Sequence, residues 1–135
     1  MGTAPDFAAW AVPDLELPLG ERTYTVRPPS VGDMGKLLAC AVRGEVNLGI
    51  VEGEIPDEVQ TILDTIGPNE HPALGETYQQ LVDDGVDPWT VDKMAYYTVF
   101  YWTRGKEYAD ALAVLLFTPR DLDAPGEAEA APKGS

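Results

Sequence analysis

The chain has 135 residues, of which 44% are hydrophobic, as expected for one globular domain with a modest core. Its formal net charge of -14 argues against nucleic acid and anionic membranes as partners, because both repel an acidic surface, and favours a basic partner. A single cysteine excludes a disulfide framework and a zinc site built from several thiols within one chain, and with a single histidine we expect no Cys/His or Ser/His catalytic pair.

The first predicted elements are a flexible arm, residues 1–13, and a β-hairpin, residues 14–27. The arm carries Phe7 and Trp10 among small residues, and such terminal segments usually fray. In the hairpin, apolar and polar residues alternate on both sides of a turn near Gly20, which is typical of two antiparallel strands. Two strands alone are marginally stable in water, so we expect their apolar face to lie on helices.

About five helices should follow the hairpin. Ser30 is an N-cap candidate, Pro88 suits a first helical position, and Gly44 and Gly105 are predicted to end helices. The predicted ranges are 30–43, 56–66, 72–84, 88–104 and 106–117. The sequence therefore predicts a mainly α fold, with the N-terminal hairpin packed on a helix bundle in a single globular domain, residues 14–117, and a disordered acidic C-terminal tail, residues 118–135.

Several side chains of these helices have predicted environments. In the first helix, the buried face is predicted to carry Val31, Met34, Leu38, Ala41 and Val42, with Leu37 at its margin. Cys40 is interpreted as a buried small hydrophobic residue. The segment that follows, residues 45–55, is predicted to be a mobile acidic connection. His71 lies in a predicted turn and is expected to be exposed or capping. The fifth helix is predicted to have an apolar stripe of Tyr108, Leu112, Leu115 and Leu116.

The predicted helix 88–104 is apolar and aromatic almost all round, whereas a half-exposed helix needs only one apolar stripe about 100° wide. It must therefore be covered on several sides by the rest of the chain, by a second copy or by another protein. Aromatic residues at helical spacing usually belong to a core. We expect five of its rings to divide between the core and a partner-binding surface: Trp89, Tyr96, Tyr97, Tyr101 and Trp102.

The charges are unevenly distributed along the sequence. Between Arg43 and Lys93 there are twelve acidic residues and no lysine or arginine. This stretch is either a solvated acidic face that keeps the protein in solution or an electrostatic surface for a basic client.

No pattern in the sequence predicts a catalytic, cofactor-binding or metal site. A calcium-binding loop needs alternating Asp or Asn ligands, a glycine at its sixth position and a glutamate at its twelfth. The segment that contains Glu52, Glu54, Asp57 and Glu58 has none of these features. The glycines lack the spacing of a phosphate-binding loop. We therefore expect the protein not to be an enzyme. With no run of about 18 apolar residues and no signal-like N-terminus, it is also expected to stay in the compartment where it is made.

Three stretches of the sequence together resemble a known family. They are LELPLGERTYTV at residues 15–26, LGETYQQLVDDGV at residues 74–86 and PWTVDKMAYYTVFYWTRG at residues 88–105, with an acidic helical stretch after the first. In this order they resemble the tail assembly chaperones of long-tailed phages and prophages of actinobacteria. The likeness covers residues 14–117 and is most specific from Leu74 to Gly105. It concerns fold and packing, so it transfers no functional residue.

The resemblance implies a chaperone that binds the phage tape-measure protein in the host bacterial cytoplasm, keeps it soluble and helps tail-tube subunits polymerise around it. It implies no catalytic residues and no place in the mature virion. Further implied partners are the tail-tube protein and a longer form of the chain made by a −1 ribosomal frameshift. The ending Pro132-Lys133-Gly134 is compatible with a slippery codon sequence, which the gene would settle. A homo-oligomer is a further candidate assembly.

Other functions remain open at the level of sequence. A structural virion subunit of the tail or head–tail connector would form a stable ring and remain in purified particles. A host-directed mimic of nucleic acid would need carboxylates spaced regularly on an ordered surface, whereas many acidic residues here fall in predicted loops. An enzyme would need a ligand pocket.

Overall fold

A computed structural model describes residues 2–119 of the chain. It is mainly helical, with an N-terminal antiparallel hairpin, as the sequence predicts. The elements are a 3₁₀ helix Phe7–Trp10, strands β1 (Leu15–Leu19) and β2 (Arg22–Val26), and helices α1 (Val31–Asn47), α2 (Asp57–Leu63), α3 (Thr77–Asp83), α4 (Pro88–Arg104) and α5 (Lys106–Phe117). Apart from its first two residues, the predicted disordered tail lies outside the described residues.

The hairpin packs its apolar face on α3 and α4. Leu17 pairs with Tyr24 across the two strands, and the turn between them uses Gly20 at φ +63°. The inward-facing residues form one buried cluster with helix residues: Leu15, Leu17, Tyr24, Val26, Leu74, Leu81 and Val91. The Thr77 hydroxyl donates to the carbonyl oxygen of Thr25 at 2.7 Å, which fixes α3 against β2.

Helix α4 lies at the centre of the fold, with α1 and α5 packed against it. The Asp87 side chain accepts a hydrogen bond from the Thr90 amide at 2.9 Å, and Pro88 follows as the first helical residue. Gly105, at φ +99°, separates α4 from α5. Both helices span the predicted residues.

Helix α1 does not end at Gly44 as predicted, but continues to Asn47. A Cβ atom at Gly44 would lie 3.0 Å from the Tyr96 hydroxyl oxygen and 3.2 Å from Phe100 Cζ, so this glycine allows α4 to approach α1 closely. The helix ends before Gly49, which has φ +79°. The predicted mobile connection is therefore wrong for residues 45–47, which are helical.

The buried face of α1 also differs from the predicted one. Val31 and Leu38 are exposed, and the buried residues are Leu37, Ala39, Ala41, Gly44 and Glu45. Because α4 contacts α1 at Gly44, beyond the predicted end of the helix, the buried face is rotated relative to the expected one.

The second and third helices are shorter than predicted. α2 ends at Leu63 because the following amides of Thr65 and Ile66 bond three residues back, which tightens the last turn. α3 starts at Thr77 rather than near residue 72, since Gly75 adopts φ +56°, which interrupts helical geometry.

Candidate functional site: the α1–α4 groove

A cleft of about 770 Å³ opens between α1 and α4, and we call it the α1–α4 groove. Its volume is typical of sites that bind ligands or protein side chains. The segment 63–74 and the end of α5 complete its walls. Most of its lining is apolar. Its partly exposed apolar residues include Cys40, Ile66, Tyr96 and Val99, and the buried side chains of Leu37, Leu63 and Phe100 lie beneath them.

An aromatic and cationic cluster stands at one side of the groove. Trp89, in the first turn of α4, leaves 71% of its surface exposed. The Lys93 ammonium lies 5.7 Å from the centre of the Trp89 ring and 6.0 Å from that of Phe117. These distances allow cation–π attraction, which links the start of α4 to the end of α5.

The groove carries cations that the fold does not neutralise. Within residues 2–119, three basic side chains form no ion pair: Arg27, Arg43 and Lys93. Arg43 and Lys93 both line the groove, where Asp92 is also present. Glu70 lines it too, but its carboxylate is bound by Lys36 and by the Gly67 amide, and both interactions lower its pKa. The groove thus offers two positive charges on an otherwise acidic molecule.

Hydrogen bonds to Glu45, next to Gly44, connect the helices α1, α4 and α5 beside the groove. We call this group of Glu45, Arg104 and Tyr108 the clamp. Glu45 on α1 accepts hydrogen bonds from Arg104 Nε at 3.1 Å and Nη2 at 2.9 Å, and from the Tyr108 hydroxyl at 2.7 Å. The Arg104 contact lowers the pKa of Glu45. The clamp joins α1, α4 and α5, so it fixes the separation of the groove walls.

A comparison with protein families adds one finding. Residues 5–135 match the model of a family described as a domain of unknown function, DUF7426. The chain belongs to this family. No curated protein and no solved structure matches it significantly. The matched region of this DUF7426 chain includes Phe7 and Trp10 of the N-terminal arm as well as the whole groove.

The five predicted partner-binding residues of the DUF7426 chain fall into two groups. Trp89 and Tyr96 line the groove. Tyr97, Tyr101 and Trp102 are partly buried and pack against the hairpin cluster. The Tyr97 hydroxyl also donates a hydrogen bond to Asp110 Oδ1 at 2.6 Å. Burial and the nearby Asp110 carboxylate both raise the pKa of Tyr97. The structure therefore brings only two of the five together at an open surface.

The only histidine and cysteine of the DUF7426 chain both line the groove. His71 is half-buried rather than exposed, because its ring stacks on Tyr78 with centroids 3.4 Å apart, and burial lowers its pKa. Cys40 is half-buried rather than fully buried, and its burial raises the pKa of the thiol. A raised pKa disfavours the thiolate, so the position suits packing more than nucleophilic chemistry.

Sequence reasoning missed the α1 wall of the groove. Leu37, Cys40 and Gly44 follow one another at helical spacing, but the predicted helix end at Gly44 hid this face. It also missed the exposure of α5, where Leu115 leaves 67% of its surface exposed instead of belonging to a buried stripe. Arg43 and Lys93, which delimit the acidic stretch in sequence, both line this groove.

Two further features concern residues 2–119 only. Their His, Cys, Asp and Glu side chains form no group of three or more that could hold a metal ion. None of their helices has the length and apolar character needed to cross a membrane.

Proposed function

We propose that this protein is a tail assembly chaperone of a long-tailed phage or prophage. In this role it binds the tape-measure protein, keeps it soluble and promotes assembly of the tail tube around it. The proposal starts from the sequence resemblance, and the observation that carries it furthest is the open α1–α4 groove with Trp89 exposed at its side.

An apolar groove between two helices is a common receptor for an amphipathic helix of a partner. The client's apolar stripe would lie over Tyr96, Val99 and Cys40, which are partly exposed, with Trp89 covering one side. Tryptophan and tyrosine in such positions often contribute most of the binding free energy. Partner binding is therefore assigned to Trp89 and Tyr96, while Tyr97, Tyr101 and Trp102 support the fold.

The charge of the protein suits the same role. A net charge of -14 keeps chaperone–client complexes apart by mutual repulsion and attracts basic parts of a client over a distance. At the groove itself, Arg43 and Lys93 are available for carboxylates that flank the client's apolar stripe.

The assembly context belongs to the proposal as well. The chaperone acts in the host bacterial cytoplasm and is absent from the mature virion, and the tail-tube protein and a frameshifted longer form of the chain are its further partners. Mass spectrometry of purified particles tests this against the alternative of a structural virion subunit, which would be found there in stoichiometric amount.

Substitution of Trp89 tests the groove as the client site. Trp89→Ser should lower the amount of soluble tape-measure protein recovered on co-expression from the same genome, because a main anchor of the interface is lost. The folded state should lose no more than about 1 kcal/mol, the size of an exposed cation–π contact. The measurements are the soluble client fraction and the urea unfolding curve.

Leu115→Ser is the matched control, since Leu115 is similarly exposed but does not line the groove. It should leave client solubility unchanged. Equal losses in the two variants would mean that the client binds general apolar surface. Full client solubility with Trp89→Ser and Tyr96→Ser combined, in a folded protein, would refute the groove assignment.

A further inference from the structure

The N-terminal arm presents two aromatic side chains that the described chain leaves mostly exposed. Phe7 and Trp10 leave 69% and 62% of their surfaces exposed, and none of the residues of the 3₁₀ helix is buried. The two rings contact each other edge to face, with centroids 5.2 Å apart. The segment is nonetheless locally ordered, because Asp6 Oδ1 accepts a hydrogen bond from the Ala8 amide at 3.0 Å.

The α1–α4 groove is the complementary surface on the same molecule. It is apolar and open, and its volume of about 770 Å³ is large enough to receive an aromatic pair. In a typical protein–protein hot spot, an exposed aromatic side chain of one partner inserts into a preformed apolar pocket of the other. No residue of the arm lines the groove of its own chain.

The charges of the two surfaces are also complementary. The arm carries Asp6, the residue directly after it is Asp14, and residues 1–14 contain no lysine or arginine. The groove is lined by Arg43 and Lys93, which are two of the three described cations without an ion pair, and by the carboxylates of Asp92 and Glu70, of which Glu70 is paired with Lys36. Complementary charge would orient the arm and speed its association with the groove.

We infer that the segment Phe7–Trp10 of one copy docks in the α1–α4 groove of a second copy, with Asp6 and Asp14 facing Arg43 and Lys93. Because arm and groove are different surfaces, reciprocal exchange of two arms gives a two-fold dimer, and one-way repetition gives rings or open chains. It requires only this chain and does not rest on the chaperone role. If the client occupies the same groove, arm and client compete.

Sedimentation velocity over a wide concentration range tests the contact with the full chain. The wild-type protein should self-associate, and Phe7→Ser combined with Trp10→Ser should weaken association at least about tenfold, because aromatic anchors dominate such interfaces. These residues contact no core side chain, so the variant should keep its circular dichroism spectrum and unfolding midpoint.

A synthetic peptide of residues 2–14 provides the direct binding measurement. Titrated by calorimetry into the full-length double-serine variant, it should bind, and Arg43→Glu in that protein should weaken binding about tenfold or more. Arg27→Glu, which changes an equally unpaired cation outside the groove, should leave binding unchanged. Both variants must retain the wild-type unfolding midpoint.

Each contrary outcome overturns the inference in a recognisable way. If the peptide does not bind, the groove does not accept the arm. If the peptide binds but the full chain stays monomeric at every concentration, the arm occupies its own groove and no second copy is involved. If the double-serine variant associates as strongly as the wild type, copies meet through another surface. None of these outcomes depends on whether the tape-measure protein is a client.

Discussion

Glu45 is the one buried charged residue among residues 2–119, with 7% of its surface exposed. Its carboxylate would be strongly destabilised there without partners, but Arg104 and Tyr108 satisfy it with three hydrogen bonds. The sequence offered no means of finding this contact, because the partners lie 59 and 63 residues away. In the sequence, Glu45 was merely one of the acidic residues after a predicted helix end.

Removal of the Glu45 charge should destabilise the fold. Glu45→Gln weakens the hydrogen bonds to Arg104 and should lower the free energy of unfolding by about 1.5–3 kcal/mol, the range for hydrogen bonds to charged groups. The control Glu52→Gln changes an exposed carboxylate and should stay within about 0.5 kcal/mol of the wild type. Urea unfolding at neutral pH measures both, and equal effects would show that the clamp contributes nothing specific.

The same pair of variants gives a pH dependence. Because Arg104 lowers the pKa of Glu45 in the folded state, the unfolded state binds the proton more readily. The stabilisation is therefore present above the unfolded pKa and is lost as the pH falls through the folded pKa. The stability difference between wild type and Glu45→Gln should shrink as the pH falls below the ordinary pKa of a glutamate and through the lower pKa of Glu45 in the folded state.

At the scale of elements, local signals in the sequence specified some helix boundaries and not others. α4 has an N-cap, a proline and a terminal glycine in succession, so its boundaries depend on neighbouring residues alone. Glycines lie at positions 32, 35 and 44 within α1 and at position 49 just after it, and only tertiary packing distinguishes the one near which the helix ends. Gly44 lies where α4 comes closest, and Gly49 adopts the left-handed conformation.

Two alanine substitutions in this region should therefore have opposite signs. Gly35→Ala, inside α1 with open space at its Cβ position, should stabilise the protein by about 0.5–1 kcal/mol through helix propensity. Gly49→Ala forces a side chain into φ +79° and should cost about 1–2 kcal/mol. Thermal unfolding compares them, and a stabilising Gly49→Ala would mean that α1 ends differently from the structure.

At the scale of the whole molecule, charge and apolar surface are arranged more specifically than composition suggested. Of the twelve acidic residues between Arg43 and Lys93, three form ion pairs with cations from other parts of the chain: Glu45, Glu70 and Asp84. The acidic stretch thus contributes to tertiary structure as well as to surface charge. Arg43 and Lys93, which form no ion pair within residues 2–119, both line the α1–α4 groove, and their presence at one groove depends on the path of the chain.

The candidate site was predictable only in part for the same reason. Apolar periodicity identified the helix that carries Trp89 and Tyr96, but it could not tell which rings the hairpin would cover. The hairpin takes Tyr97, Tyr101 and Trp102, whereas the other wall of the groove comes from α1. The groove follows from the relative placement of helices that are distant in sequence.

The central claim is that a protein segment occupies this groove. The most direct measurement is site-specific photo-cross-linking in the complex with the tape-measure protein, using p-benzoylphenylalanine in place of Trp89 and, as a control, in place of the exposed Glu16 on the hairpin. We predict cross-links to the tape-measure protein from position 89 and none from position 16. A complex that forms without cross-links from position 89, or with equal cross-links from both positions, would contradict the claim.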